Sequence, residues 1–239
     1  MHIEAVIFDW GGTLVPWATI DYREEWACVA RASAPDAVEE TTAALLEAAT
    51  QAWARSRDDH TSATFDEILS AAGVETTPAA TDAYRAFWEP STITRDDVRP
   101  LFEQISVAGM KVGVLSNTVW PRAWHEGFFI RDGVHELIDG DVYTSEIART
   151  KPHPEAFAAS MKAVGVDDPG ACVFVGDRLF DDIWGAASFG MRTIHVPHST
   201  IPADQIGHAT GEPDAVVQRL SQVADVVEDW ERGRSRQML

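Results

Sequence analysis

Val6-Ile7-Phe8-Asp9-Trp10-Gly11-Gly12-Thr13-Leu14 is an apolar run that stops on a carboxylate and turns at once through two glycines. Together with residues 3–5, broken only by Glu4, the run reads as a buried parallel strand. A carboxylate at the carboxyl end of a central strand lies where open α/β sheets place their ligands. Paired glycines let the backbone turn sharply and come close to a ligand. The same residues also suit a plain turn in which Asp9 merely caps the strand end. Segments far away in sequence decide between the two.

A chain of 239 residues can form one large domain, or a main domain carrying an inserted one. The formal net charge of -19 argues against nucleic acid or an anionic membrane surface as partner, because phosphates would be repelled. An anionic substrate would need local positive charge from a metal or a few basic side chains. Cys28 and Cys172 are too few and too far apart for a disulfide framework, so a reducing, cytoplasmic setting is expected, with both thiols buried and inert. The N-terminus has no signal-peptide pattern, and no run approaches the ~18 apolar residues of a membrane span.

Residues 16–90 change character: they are rich in Ala, Glu, Thr and Trp, and their spacing predicts helices over 22–31, 36–55, 64–72 and 78–88. A helical block directly after the first strand reads as a lid, with Trp17, Trp26, Trp53 and Trp88 as its core. Strands and helices then alternate. Helices are expected over 98–108, from 121, and over 155–164 and 181–189; strands over 111–115, 141–144, 171–175 and 193–196. A helix over 214–222, an edge strand over 225–227 and a fraying tail over 231–239 complete the reading. The fold class is therefore α/β, a doubly wound parallel sheet with an inserted all-helical unit. The core takes 1–15 and 94–239, the insertion 16–93.

Four strand ends or loops carry reactive groups: Asp9, Ser116 with Asn117, Lys151, and Asp177 with Asp182. In a doubly wound sheet such ends converge on one crevice. There Asp9 would attack an electrophile as a nucleophilic carboxylate. Ser116 and neighbouring amides would bind phosphate oxygens, and Lys151 would neutralise charge between them. Asp9 and Asp177 would hold Mg²⁺, a hard cation that takes oxygen ligands. Singly, each has an ordinary alternative: Ser116 as a helix cap, Lys151 as a solvated lysine, Asp177 and Asp182 as helix caps. Their joint occurrence at four strand ends favours the site.

With these residues in place, the chain resembles the haloacid dehalogenase-like hydrolase superfamily over about residues 3–230. FDWGGTL is similar to its first motif, VGVLSNT to the second, RTKPHPEAF to the third and VFVGDRLFDDIWGAASFGM to the fourth. The resemblance implies a Rossmann-like core with a C1-type helical cap and catalysis through an aspartyl-phosphate on Asp9. Ser116 and Lys151 would assist, and Gly12, Thr13, Ser116, Asn117 and Lys151 would surround the phosphate. Asp9, Asp177 and the backbone carbonyl of Gly11 would ligate Mg²⁺, with Asp182 in support. The implied substrate is a small phosphate ester or anhydride.

One position departs from that pattern. Phosphatases of the family carry a second aspartate two residues after the nucleophile, as general acid and base, and here Gly11 stands there. Asp21, Tyr22, His60 or His125 could substitute. Alternatively the substrate has a good leaving group, or the protein turns over poorly and serves as a binding or regulatory protein. A phosphonoacetaldehyde hydrolase would need a cap lysine, and the lysines are only Lys111, Lys151 and Lys162. A metal-independent 2-haloacid dehalogenase would carry an aromatic residue in place of Gly11. His153, His195 and His198 read as structural or rim residues, and Arg178 as a local ion-pair partner or an anion contact.

Overall fold

The computed structural model describes residues 2–197 and 211–237. The strands are β1 (Ala5–Phe8), β2 (Lys111–Ser116), β3 (Gly140–Tyr143), β4 (Cys172–Gly176), β5 (Arg192–His195) and β6 (Ala215–Val216). They form one parallel sheet in the order β3-β2-β1-β4-β5-β6. β1 therefore lies between β2 and β4, where the winding reverses, and the crevice outside its carboxyl end is the place for a ligand. Alternate residues of the central strands feed two cores. Val6, Phe8, Val112, Val114, Val173 and Val175 face one cluster, and Ala5, Ile7, Leu115 and Phe174 the other. Near-continuous apolar strands result because both faces are covered.

Four helices fill the insertion between β1 and β2: α1 (Tyr22–Ser33), α2 (Val38–Asp59), α3 (Phe65–Ala71) and α4 (Pro78–Trp88). Local chemistry sets their starts. Asp21 accepts from the Arg23 and Glu24 amides, Thr64 and Glu67 form a capping box, and Pro78 occupies the first turn of α4 behind Thr77. The chain leaves and re-enters the core side by side, the Arg95 amide donating to the Leu14 carbonyl at 3.0 Å. Of the expected tryptophan core, Trp26 is buried and Trp88 and Trp17 partly so, but Trp53 is 49% exposed and lines a small cavity with Ala63, Thr118 and Thr150 where α2 meets the core.

In the core, α5 (Val98–Val107), α6 (Arg122–Arg131), α7 (Pro154–Val164), α8 (Gly185–Phe189) and α9 (Val223–Gln237) complete the alternation. The expected 181–189 helix is instead a π-turn over Leu179–Trp184 followed by the short α8.

The C-terminal expectations were wrong in kind. Residues 214–222 hold β6 and a 3-10 turn, Leu220–Gln222, because the Asp214 carboxylate accepts from the Thr193 amide at 2.8 Å and draws the segment onto β5. The expected edge strand over 225–227 lies inside α9, which buries Val223 and Val227 on one face. Of the tail expected to fray over 231–239, residues 231–237 continue the same helix, and 238–239 lie outside the described residues. Trp230 packs under the Arg192 guanidinium and Glu231 accepts from the Ile3 amide at 2.9 Å. Cys172 is buried, Cys28 half-buried, and neither is in a disulfide. No helix among the described residues is long and apolar enough to cross a membrane.

Candidate active site

β1 delivers Asp9 to the crevice, and the Asp9 amide donates to Val175 of β4 at 2.9 Å, so the residue is fixed at the sheet end. The chain then closes a tight loop in which the amides of Leu14 and Val15 bond the Trp10 carbonyl and that of Gly12 bonds Val15. Gly12 has φ +91°, left-handed backbone that glycine adopts without a Cβ penalty. Thr13 within this loop is fully buried, and its hydroxyl has no hydrogen-bond partner among the described residues.

Lys151 reaches in from the loop before α7. Its Nζ lies 2.6 Å from Asp9 Oδ1 and 2.7 Å from Asp182 Oδ1, with all three side chains buried. The other oxygen of Asp182 accepts from the Arg178 amide at 2.9 Å, so both of its oxygens are engaged. Gly176 makes that arrangement possible, since a Cβ there would collide with the Asp182 carboxyl group. Asp177 follows at the end of β4; its carbonyl bonds His195 Nε2 at 3.1 Å, which places His195 behind the site. Ser116 is buried at the end of β2. Asn117 uses its side chain on the Lys151 backbone, accepting from the amide at 2.8 Å and donating to the carbonyl at 3.0 Å. The side chain expected among the phosphate-binding groups thus clamps the lysine loop.

Carboxylate oxygens of Asp9, Asp177 and Asp182 all lie within 4.8 Å of one another. Burial pushes the Asp9 carboxyl up to about 7; Lys151 pulls it down, while Asp182 and Asp177 push it further up. Burial also opposes the Lys151 charge, but Asp182 and Asp9 outweigh it and raise the ammonium above its ordinary value. Asp181, half-buried beside them, is pushed up to about 6 by burial and by Asp182. Sequence reasoning passed over Asp181; its only signal was the doubled aspartate before Ile183. Among the described residues the cluster holds more negative than positive groups, with Lys151 and the more distant Arg178 as cationic partners. An all-oxygen, buried, charge-deficient donor set fits a hard divalent cation. Asp9 and Asp177 would hold it, since both oxygens of Asp182 are already taken.

The four possible substitutes for Gly11 separate clearly. Asp21 is exposed and caps α1. Tyr22 is 43% exposed on the first turn of that helix. His125 is fully buried, stacked 4.3 Å from Tyr143, and kept neutral as burial lowers its pKa to about 3. His60 ends α2 at the seam with the core. His153 caps α7, and His198 lies outside the described residues.

The sequence pattern of the haloacid dehalogenase-like hydrolases matches residues 3–190. The chain belongs to the haloacid dehalogenase-like hydrolases. The glyceraldehyde 3-phosphate phosphatase of Methanopyrus kandleri is 28% identical to this hydrolase over 239 residues, covering 95% of this chain and 98% of the relative. A protein of the same name from Methanocaldococcus jannaschii is 26% identical over 132 residues, 54% of each chain. The fold is that of a phosphatase of this family from Thermococcus onnurineus, with a TM-score of 0.68 at 19% identity over 94% of this chain and 98% of the other. The L-2-haloacid dehalogenase of Xanthobacter autotrophicus shares it too, with a TM-score of 0.64 at 20% identity over 95% and 98%. Likeness at that identity speaks to the fold and leaves the reaction to the site.

Proposed function

We propose that this hydrolase is a Mg²⁺-dependent phosphatase of a small phosphorylated metabolite, acting through an aspartyl-phosphate on Asp9. The observation that carries the reading is the buried triad of Asp9, Lys151 and Asp182 with Asp177 beside it. The M. kandleri relative, a glyceraldehyde 3-phosphate phosphatase, supports a substrate of similar size. The bound cation would neutralise charge between Asp9 and the incoming phosphate. Lys151, Ser116 and the buried Thr13 hydroxyl bind phosphate oxygens, with the amides of Gly12 and Asn117 nearby. Asp9 attacks phosphorus, the ester oxygen leaves, and water then attacks the phospho-aspartate to release phosphate. Residues 16–93 act as a cap that excludes bulk water during both steps. The acidic chain and its pair of thiols free of any disulfide suit the cytoplasm, and neither nucleic acid nor membrane is a partner.

Gly11 favours a second reading, a catalytically weak binding protein on the same scaffold, because the usual acid/base is missing. One experiment separates the two. Turnover of an activated aryl phosphate is measured with and without Mg²⁺ for wild type, Asp9→Asn and Gly11→Asp. Metal-dependent turnover that Asp9→Asn abolishes supports the phosphatase. Turnover seen only in Gly11→Asp supports the binding protein, and metal-independent halide release from a 2-chloro acid would replace both with a dehalogenase.

A further inference from the structure

If Asp9 transfers a phosphoryl group, the ester oxygen must leave as an alcohol, and Gly11 offers it no proton. The cap-to-core seam supplies a candidate. α2 ends on His60, whose φ of +52° makes it the one non-glycine residue with left-handed backbone among the described residues. A helix end is a common place for this conformation, which costs energy in a non-glycine residue and is also found clustered at active sites.

The surroundings fix where this residue sits. Its carbonyl accepts from the Thr150 amide at 3.0 Å, one residue before Lys151. The Ser62 amide bonds the Ala148 carbonyl at 3.1 Å, and Thr61 pairs with Arg149 as a short antiparallel bridge. On its other side the imidazole lies 6.3 Å from the ring of Phe180, which falls between Asp177 and Asp182 in the chain. His60 is thus held between the two core segments that carry Lys151 and the aspartates. Its Nδ1 is buried with no hydrogen-bond partner among the described residues, while the residue as a whole stays partly exposed. A buried polar atom without a partner in a native structure needs a reason, and a bound ligand is one. Among the described residues, the charged groups near it in the chain or on the segments it touches include Asp59, Arg149, whose guanidinium bonds the Asp59 carbonyl at 3.1 Å, Lys151 behind Thr150, and Asp181 next to Phe180.

We propose that His60 is the proton-transfer residue of this hydrolase, in place of the side chain that Gly11 lacks. The proposal rests on the phosphatase reading above. As the P–O bond to the leaving group breaks and the Asp9–P bond forms, the imidazolium gives its proton to the departing oxygen. The neutral imidazole then takes a proton from the water that attacks phosphorus, which frees the Asp9 carboxylate and restores the imidazolium. Asp21 is committed to its cap and His125 is shut in the core, so neither competes for this role.

The test compares kcat/KM for 4-nitrophenyl phosphate, whose leaving group needs no acid, with that for glycerol 3-phosphate, whose leaving group does. His60→Asn is the variant, because asparagine tolerates left-handed backbone and preserves the turn. It should lower kcat/KM for glycerol 3-phosphate by about 10² to 10⁴-fold while leaving that for 4-nitrophenyl phosphate within about tenfold of wild type. Adding Gly11→Asp to His60→Asn should restore the lost activity, since a Cβ at position 11 meets no atom within 4 Å. An equal loss on both substrates, or no loss on either, overturns the assignment of His60 and leaves the phosphatase standing. A wild type inert toward both substrates with Mg²⁺ present overturns the phosphatase reading and His60 with it.

Discussion

Lys151 Nζ lies 2.6 Å from Asp9 Oδ1 in a pocket where both side chains are buried. Removing one member of such a pair strands the other charge, which costs about 3–5 kcal/mol. Lys151→Met should therefore abolish phosphate turnover, and it should also lower the urea midpoint. Lys151→Arg should retain the charge yet fail in turnover, because the buried space between Asp9 and Asp182 is filled by a compact ammonium and a larger planar guanidinium would displace both carboxylates. Denaturation and steady-state assays on both variants check this.

Gly176 and Asp182 compete for the same volume. Gly176→Ala forces the Asp182 carboxyl away from Lys151, and overpacking of this kind costs about 1–3 kcal/mol. The expected outcome is a protein of lower thermal midpoint whose turnover falls as far as that of Asp182→Ala. A fully active Gly176→Ala protein would show that the contact gives way without consequence.

Divalent cation binding should be visible without any substrate. If Asp9 and Asp177 hold the ion, Mg²⁺ at about a hundred times its Kd should raise the thermal midpoint by roughly 5–10 °C. Asp177→Asn should remove that response. Calorimetric titration of the two proteins reads the same difference directly.

Glu25 gives a pH dependence of stability that is separate from the active site. It is buried in α1, where Oε1 accepts from Tyr84 Oη at 2.7 Å and Trp88 Nε1 at 3.0 Å. Burial raises its carboxyl from 4.5 to about 7, against the pull of those two hydrogen bonds. The folded state thus keeps a proton that the unfolded chain has lost. The stability from this group is fully present below pH 4.5 and is lost as pH rises to about 7, by up to ~1.4 kcal/mol per pH unit. Glu25→Gln should remove this slope and be more stable than wild type at pH 8. Because Asp9 shifts in the same direction, the comparison is made as wild type against variant across the pH range.

The strand ends were legible because each is an apolar run stopped by a polar group, a pattern set within a few residues. Asp9, Ser116 and Asp177 all lie at such ends, and the fold brings them to one crevice. What escaped depends on partners distant in sequence. Asp214 makes a strand of its neighbours only through Thr193, and the 225–227 run becomes helix because Val223 and Val227 share a buried face. The role of Asn117 as a clamp required knowing that residue 151 folds back against it. His125 gave no sign in the sequence of lying beneath Tyr143 in the core.

The bridge between Thr61 and Arg149 sets a condition on any opening of the helical insertion. If the insertion lifts, the pairs His60–Thr150 and Ser62–Ala148 must part first, and they adjoin the residue that carries the ammonium. Admission of a substrate and the seat of that charge would then be one event, with the doorway hinged on the loop that carries Lys151.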